Sequence, residues 1–229
     1  MRVLLVSSSQ REVRLLRDKL TFISKISPEL SNYKAETLDV DILVVGHGSV
    51  FMAYYLTKTI HAFSYDLVIN IGVACSFDYF LELGFVVNVV QDQFADLGYE
   101  EKDKFFTLFE KELMSEDSFP FTGEILRSLG NFEINVVESL IPVRSITVNT
   151  LHGKQETIQK IKSKFKCEIE TMSGAAFFYI CLMEKVPFLQ IRSVSNFVEI
   201  RKVDNWNFPL AIGNLTTTIL DILKELSAA

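Results

Sequence analysis

A chain of 229 residues, 48% of them hydrophobic, is large enough to bury one α/β core and requires no second. Its net charge of −6, with no cluster of lysines and arginines, argues against a nucleic-acid partner. Three scattered cysteines, Cys75, Cys167 and Cys181, make neither a disulfide framework nor a zinc site, and no run approaches the ~20 apolar residues of a membrane span.

The chain opens on a strand at residues 3–6, whose apolar run is too short for a signal peptide, so a reduced, cytoplasmic protein without membrane contact is expected. A helix over 10–20 follows, with Val13, Leu15, Leu16 and Leu20 on its apolar side. Residues 40–45 read as a buried strand, 50–62 as a helix, 67–71 and 85–90 as strands. Residues 95–117 are polar, aromatic and charged without a period, which predicts a long loop serving as a lid or an interface arm. Residues 134–140 and 143–147 read as two strands about Pro142, and 156–165 and 175–184 as helices. A strand over 188–194 and a closing helix over 210–226 complete the chain. The alternation predicts a single domain over 1–229: α/β, a mixed sheet covered by helices on both faces.

Three segments fall where strands give way to helices: 7–12, 46–49 and 70–76. Gly46, Gly48 and Gly72 allow the close backbone approach that phosphate or sugar loops need, although such glycines also serve plain turns. The spacings match neither GxGxxG nor GxxxxGK[ST], so a dinucleotide or P-loop cofactor is not expected. Gly174-Ala175-Ala176 is too small to be packing filler, so something lies close to the backbone there. The apolar strand that follows ends in Arg192, Ser195 and Asn196, at the carboxyl edge where open α/β sheets place ligands. A pocket for a flat polar ligand and a tight helix–strand contact both fit this pattern.

Glu12 in a strand–loop–helix opening, the segment Asn70-Ile-Gly-Val-Ala74, and Met172 ahead of Arg192-Ser-Val-Ser-Asn196 together resemble the nucleoside phosphorylase/nucleosidase superfamily over the whole chain. Within it the chain is most similar to methylthioadenosine/S-adenosylhomocysteine nucleosidases and, among these, to futalosine hydrolase of the menaquinone pathway. That second likeness rests on Phe94-Ala-Asp-Leu-Gly98, Thr147-Val-Asn-Thr-Leu-His-Gly153, Gly174-Ala-Ala-Phe-Phe178, and Ser195-Asn-Phe-Val-Glu-Ile-Arg201 ahead of Asn205-Trp-Asn-Phe-Pro209. The resemblance implies a three-layer α/β/α sandwich around a mixed, partly barrel-like sheet. It also implies a homodimer or higher homo-oligomer and hydrolysis of a nucleoside with no metal or cofactor.

By the same resemblance Glu12 is the general base that activates water, although a carboxylate in a first helical turn is also a dipole-favoured surface choice. Gly72, Val73, Ala74, Leu151, His152, Thr171, Met172 and Ser195 fall at substrate-binding positions. Asn196 stands where adenine-cleaving relatives carry an aspartate. Its neutral amide donates to O6 or N7 but cannot transfer a proton, which suits hypoxanthine or guanine. Ser173 stands where the family places a ribose-binding glutamate, so the ribose contact is water-bridged, weaker, or supplied by Glu170. Arg201 is a candidate fork for a carboxylate at the substrate's far end and Trp206 a wall for its ring, although Arg201 among Glu199, Lys202 and Asp204 also suits a solvated loop. No cation precedes Gly72, and Glu12 repels a phosphate dianion, so hydrolysis is expected over phosphorolysis. Futalosine, cleaved to hypoxanthine and dehypoxanthine futalosine, is the expected substrate. A methylthioadenosine-type nucleosidase, a purine nucleoside phosphorylase and a nucleoside-binding protein without turnover remain open.

Overall fold

The computed structural model describes residues 1–128, 133–200 and 203–228. Its elements in chain order are β1 (Arg2–Ser7), α1 (Gln10–Arg17), β2 (Thr21–Lys25), β3 (Leu30–Ala35), β4 (Leu38–Val44), α2 (Ser49–Ala62), β5 (Leu67–Ser76) and β6 (Val86–Phe94). These are followed by β7 (Gly98–Glu101), β8 (Lys104–Thr107), β9 (Leu126–Arg127), α3 (Asn135–Glu138), β10 (Ile141–Thr147), α4 (Gln155–Lys164), β11 (Ile169–Thr171), α5 (Gly174–Met183), β12 (Phe188–Phe197) and α6 (Phe208–Ala228). None of the described helices is long and apolar enough to cross a membrane.

One mixed sheet organises the molecule, in the order β11-β10-β6-β12-β5-β1-β4-β3-β2. A further antiparallel pairing of β11 with β5 closes β5, β12, β6, β10 and β11 into a five-stranded barrel, from which β1, β4, β3 and β2 extend as an open wing. The apolar runs explain this arrangement. Leu4 and Val6 of β1 pack into the layer of α2 and α5, while Val3 and Leu5 pack under α1 and α6. Strands buried on both faces read as continuous hydrophobic runs, as β1 and the first half of β5 do. Helix α5 is apolar all round and almost wholly buried, the mark of a core helix. A smaller cluster beneath α4 joins Phe77, Ile146, Ile158 and Phe165.

Several elements depart from the sequence reading. Strand β5 runs to Ser76, so 70–76 is sheet rather than loop. Strands β6 and β12 likewise continue four and three residues beyond their expected ends, to Phe94 and Phe197. Residues 135–138 form helix α3, while Pro142 lies inside β10. The expected loop at 95–117 contains the β7–β8 hairpin, and the β2–β3 hairpin was not anticipated. Leu15 points to solvent, at 45% exposure, because α1 buries only the stripe of Glu12, Val13 and Leu16.

The small Gly174 does mark a close approach, and its neighbour is protein rather than ligand. A Cβ there would overlap the carboxylate of buried Asp92 and lie 2.7 Å from Gln190 Nε2 and 2.9 Å from Thr171 Oγ1. Replacing Gly174 by alanine should therefore cost about 1–3 kcal/mol, as overpacking of a tight core does. The measurement is the urea midpoint, and an unshifted midpoint would show that the Asp92 pocket yields freely.

Candidate active site

The ends of β1, β5, β11 and β12 surround a cavity of about 330 Å³, the lower end of the size range for ligand pockets. Helix α1 contributes Glu12, β5 contributes Val73 and Ala74, and the loop before α4 contributes Leu151 and His152. Strand β11 and the turn after it supply Glu170, Thr171, Met172 and Ser173, and β12 supplies Ser195 and Asn196. Eleven of the thirteen expected site residues thus meet in one cavity. Gly72 does not line it, and Arg201 lies outside the described residues.

Glu12 occupies the third position of α1, where its side chain turns back to the helix start as the carboxylate half of a capping box. One oxygen accepts from the Ser7 hydroxyl at 2.9 Å, the Ser9 amide at 3.0 Å and the Ser9 hydroxyl at 3.0 Å. The other accepts from the Val73 amide at 3.0 Å, which ties α1 to β5. The carboxylate is thereby fixed at the cavity wall, 7% exposed.

Arg192, placed by sequence at the strand edge but given no role, is buried at 2% exposure and lines the same cavity. Its Nε and Nη2 have no hydrogen-bond partner among the described residues. Burial draws its pKa below the ordinary arginine value, while the charges of Glu12 and Asp92 pull it back up. Arg192 pairs across strands with Gly72, and a Cβ on Gly72 would overlap Arg192 Nη1 and lie 2.6 Å from Glu12 Oε1. Gly72 therefore serves the site by leaving room. The sequence signal for Arg192 was an arginine in the middle of an otherwise buried strand.

Asp92, also missed, is the second carboxylate whose charge acts on Arg192. It accepts from Thr147 Oγ1 at 2.9 Å and from Gln190 Nε2 at 3.1 Å, and burial pushes its carboxyl up to about 6. With Gln91 and Gln93 beside it, its stretch of sequence reads as solvent-facing.

At the other end, Asn196 Oδ1 accepts from the Ser195 hydroxyl at 2.9 Å and its Nδ2 donates to the Phe197 carbonyl at 3.1 Å. An amide nitrogen carries two hydrogens, so one remains for the cavity. Between Val194 and Asn196 the pairing of β12 with β5 shifts register, making Ser195 the extra residue of a bulge. Such bulges re-aim side chains beside functional sites. Glu170 is fully buried, and His152 binds it twice, through its backbone amide at 3.0 Å and Nδ1 at 2.6 Å. Ser173, 2% exposed, immediately precedes α5. Trp206 and Phe208 form an aromatic wall, edge to face at 5.6 Å, with the Arg11 guanidinium 4.6 Å over the Phe208 ring. No group of three or more metal-ligating side chains is assembled among the described residues.

The barrel-centred α/β fold agrees with what comparison finds. The family model of the phosphorylase superfamily matches residues 2–226, and the chain belongs to that superfamily. A 5′-methylthioadenosine/S-adenosylhomocysteine nucleosidase of Staphylococcus aureus is 27% identical over 84% of this chain and 85% of its own length. The crystal structure of a nucleosidase of the same name from Colwellia psychrerythraea, in complex with adenine, superposes with a TM-score of 0.82 at 22% identity, covering 99% of this chain and 96% of that one. Futalosine hydrolase of Helicobacter pylori superposes with a TM-score of 0.80 at 15% identity, covering 98% of each chain.

Because the atoms crowding Gly72 are the far ends of two side chains and not backbone, Gly72→Ala should fold with a melting point lowered by no more than about 4 °C. The methyl group should nevertheless push the Glu12 carboxylate off the Val73 amide. Hydrogen exchange reads this directly: the Val73 amide should lose protection while its neighbours in β5 keep theirs. Unchanged protection at Val73 would show that Glu12 and Arg192 accommodate the methyl without parting.

Proposed function

We propose that this protein hydrolyses the N-glycosidic bond of a purine nucleoside, with a preference for a 6-oxopurine base. The observation that carries the reading is the Glu12 carboxylate, held by four donors at the wall of a cavity it shares with Arg192, whose Nε and Nη2 have no hydrogen-bond partner among the described residues. Breaking the bond places positive charge on the ribose and negative charge on the departing base, so a fixed carboxylate near the sugar favours the transition state over the ground state. Glu12 accepts a proton from water as that water attacks the anomeric carbon. Arg192 Nε and Nη2 offer donors to the water or to a ribose oxygen. Asn196 directs its remaining amide hydrogen at O6 or N7 of the base.

Water is favoured over phosphate as the nucleophile. Asn70 is turned into the core and bonded to Gln190 at 2.7 Å, so no cation stands ahead of Gly72. Arg11 and Arg14 are exposed on α1, and Arg192 already faces the charge of Glu12. Futalosine is the substrate that the sequence motifs and Asn196 support. The likeness to the Staphylococcus nucleosidase supports a second reading, 5′-methylthioadenosine or S-adenosylhomocysteine. Incubating the protein with inosine, methylthioadenosine and futalosine, with and without phosphate, separates these readings. Binding without turnover of any of the three would leave a nucleoside-binding protein. The exposed apolar side chains Val50, Phe51 and Tyr54 on α2 support a homo-oligomer through that face.

Glu12→Gln should lower turnover by at least about 10²-fold, the scale of general acid–base catalysis, with nucleoside affinity held within about tenfold. Near-normal turnover in this variant would remove Glu12 from the mechanism. Asn196→Asp should move kcat/KM away from 6-oxopurine and toward 6-aminopurine nucleosides, because a protonated carboxyl donates to N7 while accepting from the 6-amino group. An unchanged ratio would mean that Asn196 does not face the base.

A further inference from the structure

Three adjacent strands place Glu170, Cys75 and Asn196 in a single row. Glu170 of β11 pairs with Cys75 of β5, and Cys75 pairs on its other side with Asn196 of β12. Residues opposite one another in a sheet present their side chains to the same face, and all three line the cavity. Strands lie about 4.8 Å apart, so Glu170 and Asn196 stand roughly 10 Å from each other across the row, a span that admits a purine ring between their side chains. Glu12 is anchored two residues earlier on β5, at Val73, one side-chain repeat or roughly 7 Å away. The row of Glu170 and Asn196 and the row of Glu12 thus form two separate ends of the cavity.

Resting on the nucleosidase reading above, we propose that Glu170 accepts the N1–H of a 6-oxopurine, so that Glu170 and Asn196 together select the base. A carboxylate is an acceptor only, with room for about four hydrogen bonds on its two oxygens. His152 fills one site on each and, by gripping both, fixes the carboxylate in place. The carboxylate is fully buried, so its remaining capacity can be met only from within the cavity. A 6-oxopurine presents O6 as an acceptor and N1–H as a donor along one edge, which matches an amide N–H from Asn196 and a carboxylate from Glu170. A 6-aminopurine reverses both and sets the lone pair of N1 against a negative charge. Discrimination then comes from the unpaired buried groups that the wrong base leaves behind. Ser173 adds no charge, so Glu170 and Glu12 are the buried carboxylates among the described lining residues.

The test measures kcat/KM for inosine and adenosine in the wild type and in Glu170→Gln. Glutamine adds an N–H that suits N1 of adenine, so the inosine-to-adenosine ratio should fall at least about a hundredfold. Equal losses on both substrates would overturn the proposal. So would a Glu170→Gln defect that disappears with 3′-deoxyinosine, which would place the carboxylate on the ribose. Wild-type protein gives an independent readout that needs no variant: calorimetry should show hypoxanthine binding at least about tenfold more tightly than either adenine or 1-methylhypoxanthine. Equal binding of the three bases would overturn the proposal whatever the variant does. If the wild type cleaves no purine nucleoside, the nucleosidase reading falls, and the free-base affinities still decide the role of Glu170. If it cleaves inosine and adenosine equally well, the role of Glu170 falls and the nucleosidase reading stands.

Discussion

A guanidinium buried in the middle of a β-sheet is the constraint to which the rest of this structure answers. Removing one charged group from water costs several kcal/mol unless opposite charge and hydrogen-bond partners stand close. Arg192 has the opposite charge, from Glu12 and Asp92, while its Nε and Nη2 have no hydrogen-bond partner among the described residues. Both carboxylates need space that an ordinary side chain would fill, and at each of these points the chain carries a glycine: Gly72 beneath Glu12 and Arg192, Gly174 against Asp92. The two glycines and three charges form one device. Its balance depends on pH. Burial lifts Asp92 to about 6, above the ordinary aspartate value near 4, so the neutral acid favours the fold at low pH and that contribution is lost as pH rises through about 6. Above that range Asp92 is ionised and offsets the Arg192 charge.

Strand β5 carries this device to the surface where chemistry can occur. Its first half is apolar and buried between two helical layers, and its second half pairs with β12 on one side and, at Cys75 and Ser76, with β11 on the other. Closing the barrel at this point converts an open sheet edge into a walled cavity. Val73 fixes Glu12, and Cys75 lies between Glu170 and Asn196. The Ser195 bulge lets β12 present Asn196 in that row while its hydroxyl holds the amide oxygen. Sheet register thus sets the separation between the two ends of the site.

What the sequence made legible was the local part of this design. Runs buried on both faces and an apolar helix after small residues announced β1, β4, β12 and α5 without any knowledge of their neighbours. The β2 strand was hidden because all of Thr21–Lys25 is exposed, leaving no alternation to read. Residues 134–140 have β-branched, strand-like composition, yet 135–138 are helical. The amides of Asn135 and Val136 are captured by Glu225 of α6, about ninety residues away, a tertiary contact that overrides local preference. Gly72 was recognised as special for the wrong reason, as a loop glycine instead of a gap in a strand. Arg192 and Asp92 are a hundred residues apart, and neither shows its partner until the sheet forms.

The serine at 173 follows from the same electrostatic accounting. The cavity wall already holds Glu170 bonded to His152, and Glu12 whose charge acts on Arg192. Position 173 is 2% exposed and immediately precedes α5, which is almost wholly buried. A carboxylate there would be a further buried negative charge beside Glu12 and Glu170, while Arg192, with Asp92 also acting on it, is the one buried guanidinium among the described lining residues. Unpaired buried charge costs far more than a lost hydrogen bond. A chain that commits a glutamate to position 170 can accept an uncharged residue at 173 and keep the cavity near neutrality. In the proposed reading, where the two carboxylates stand decides which end of a nucleoside each of them meets.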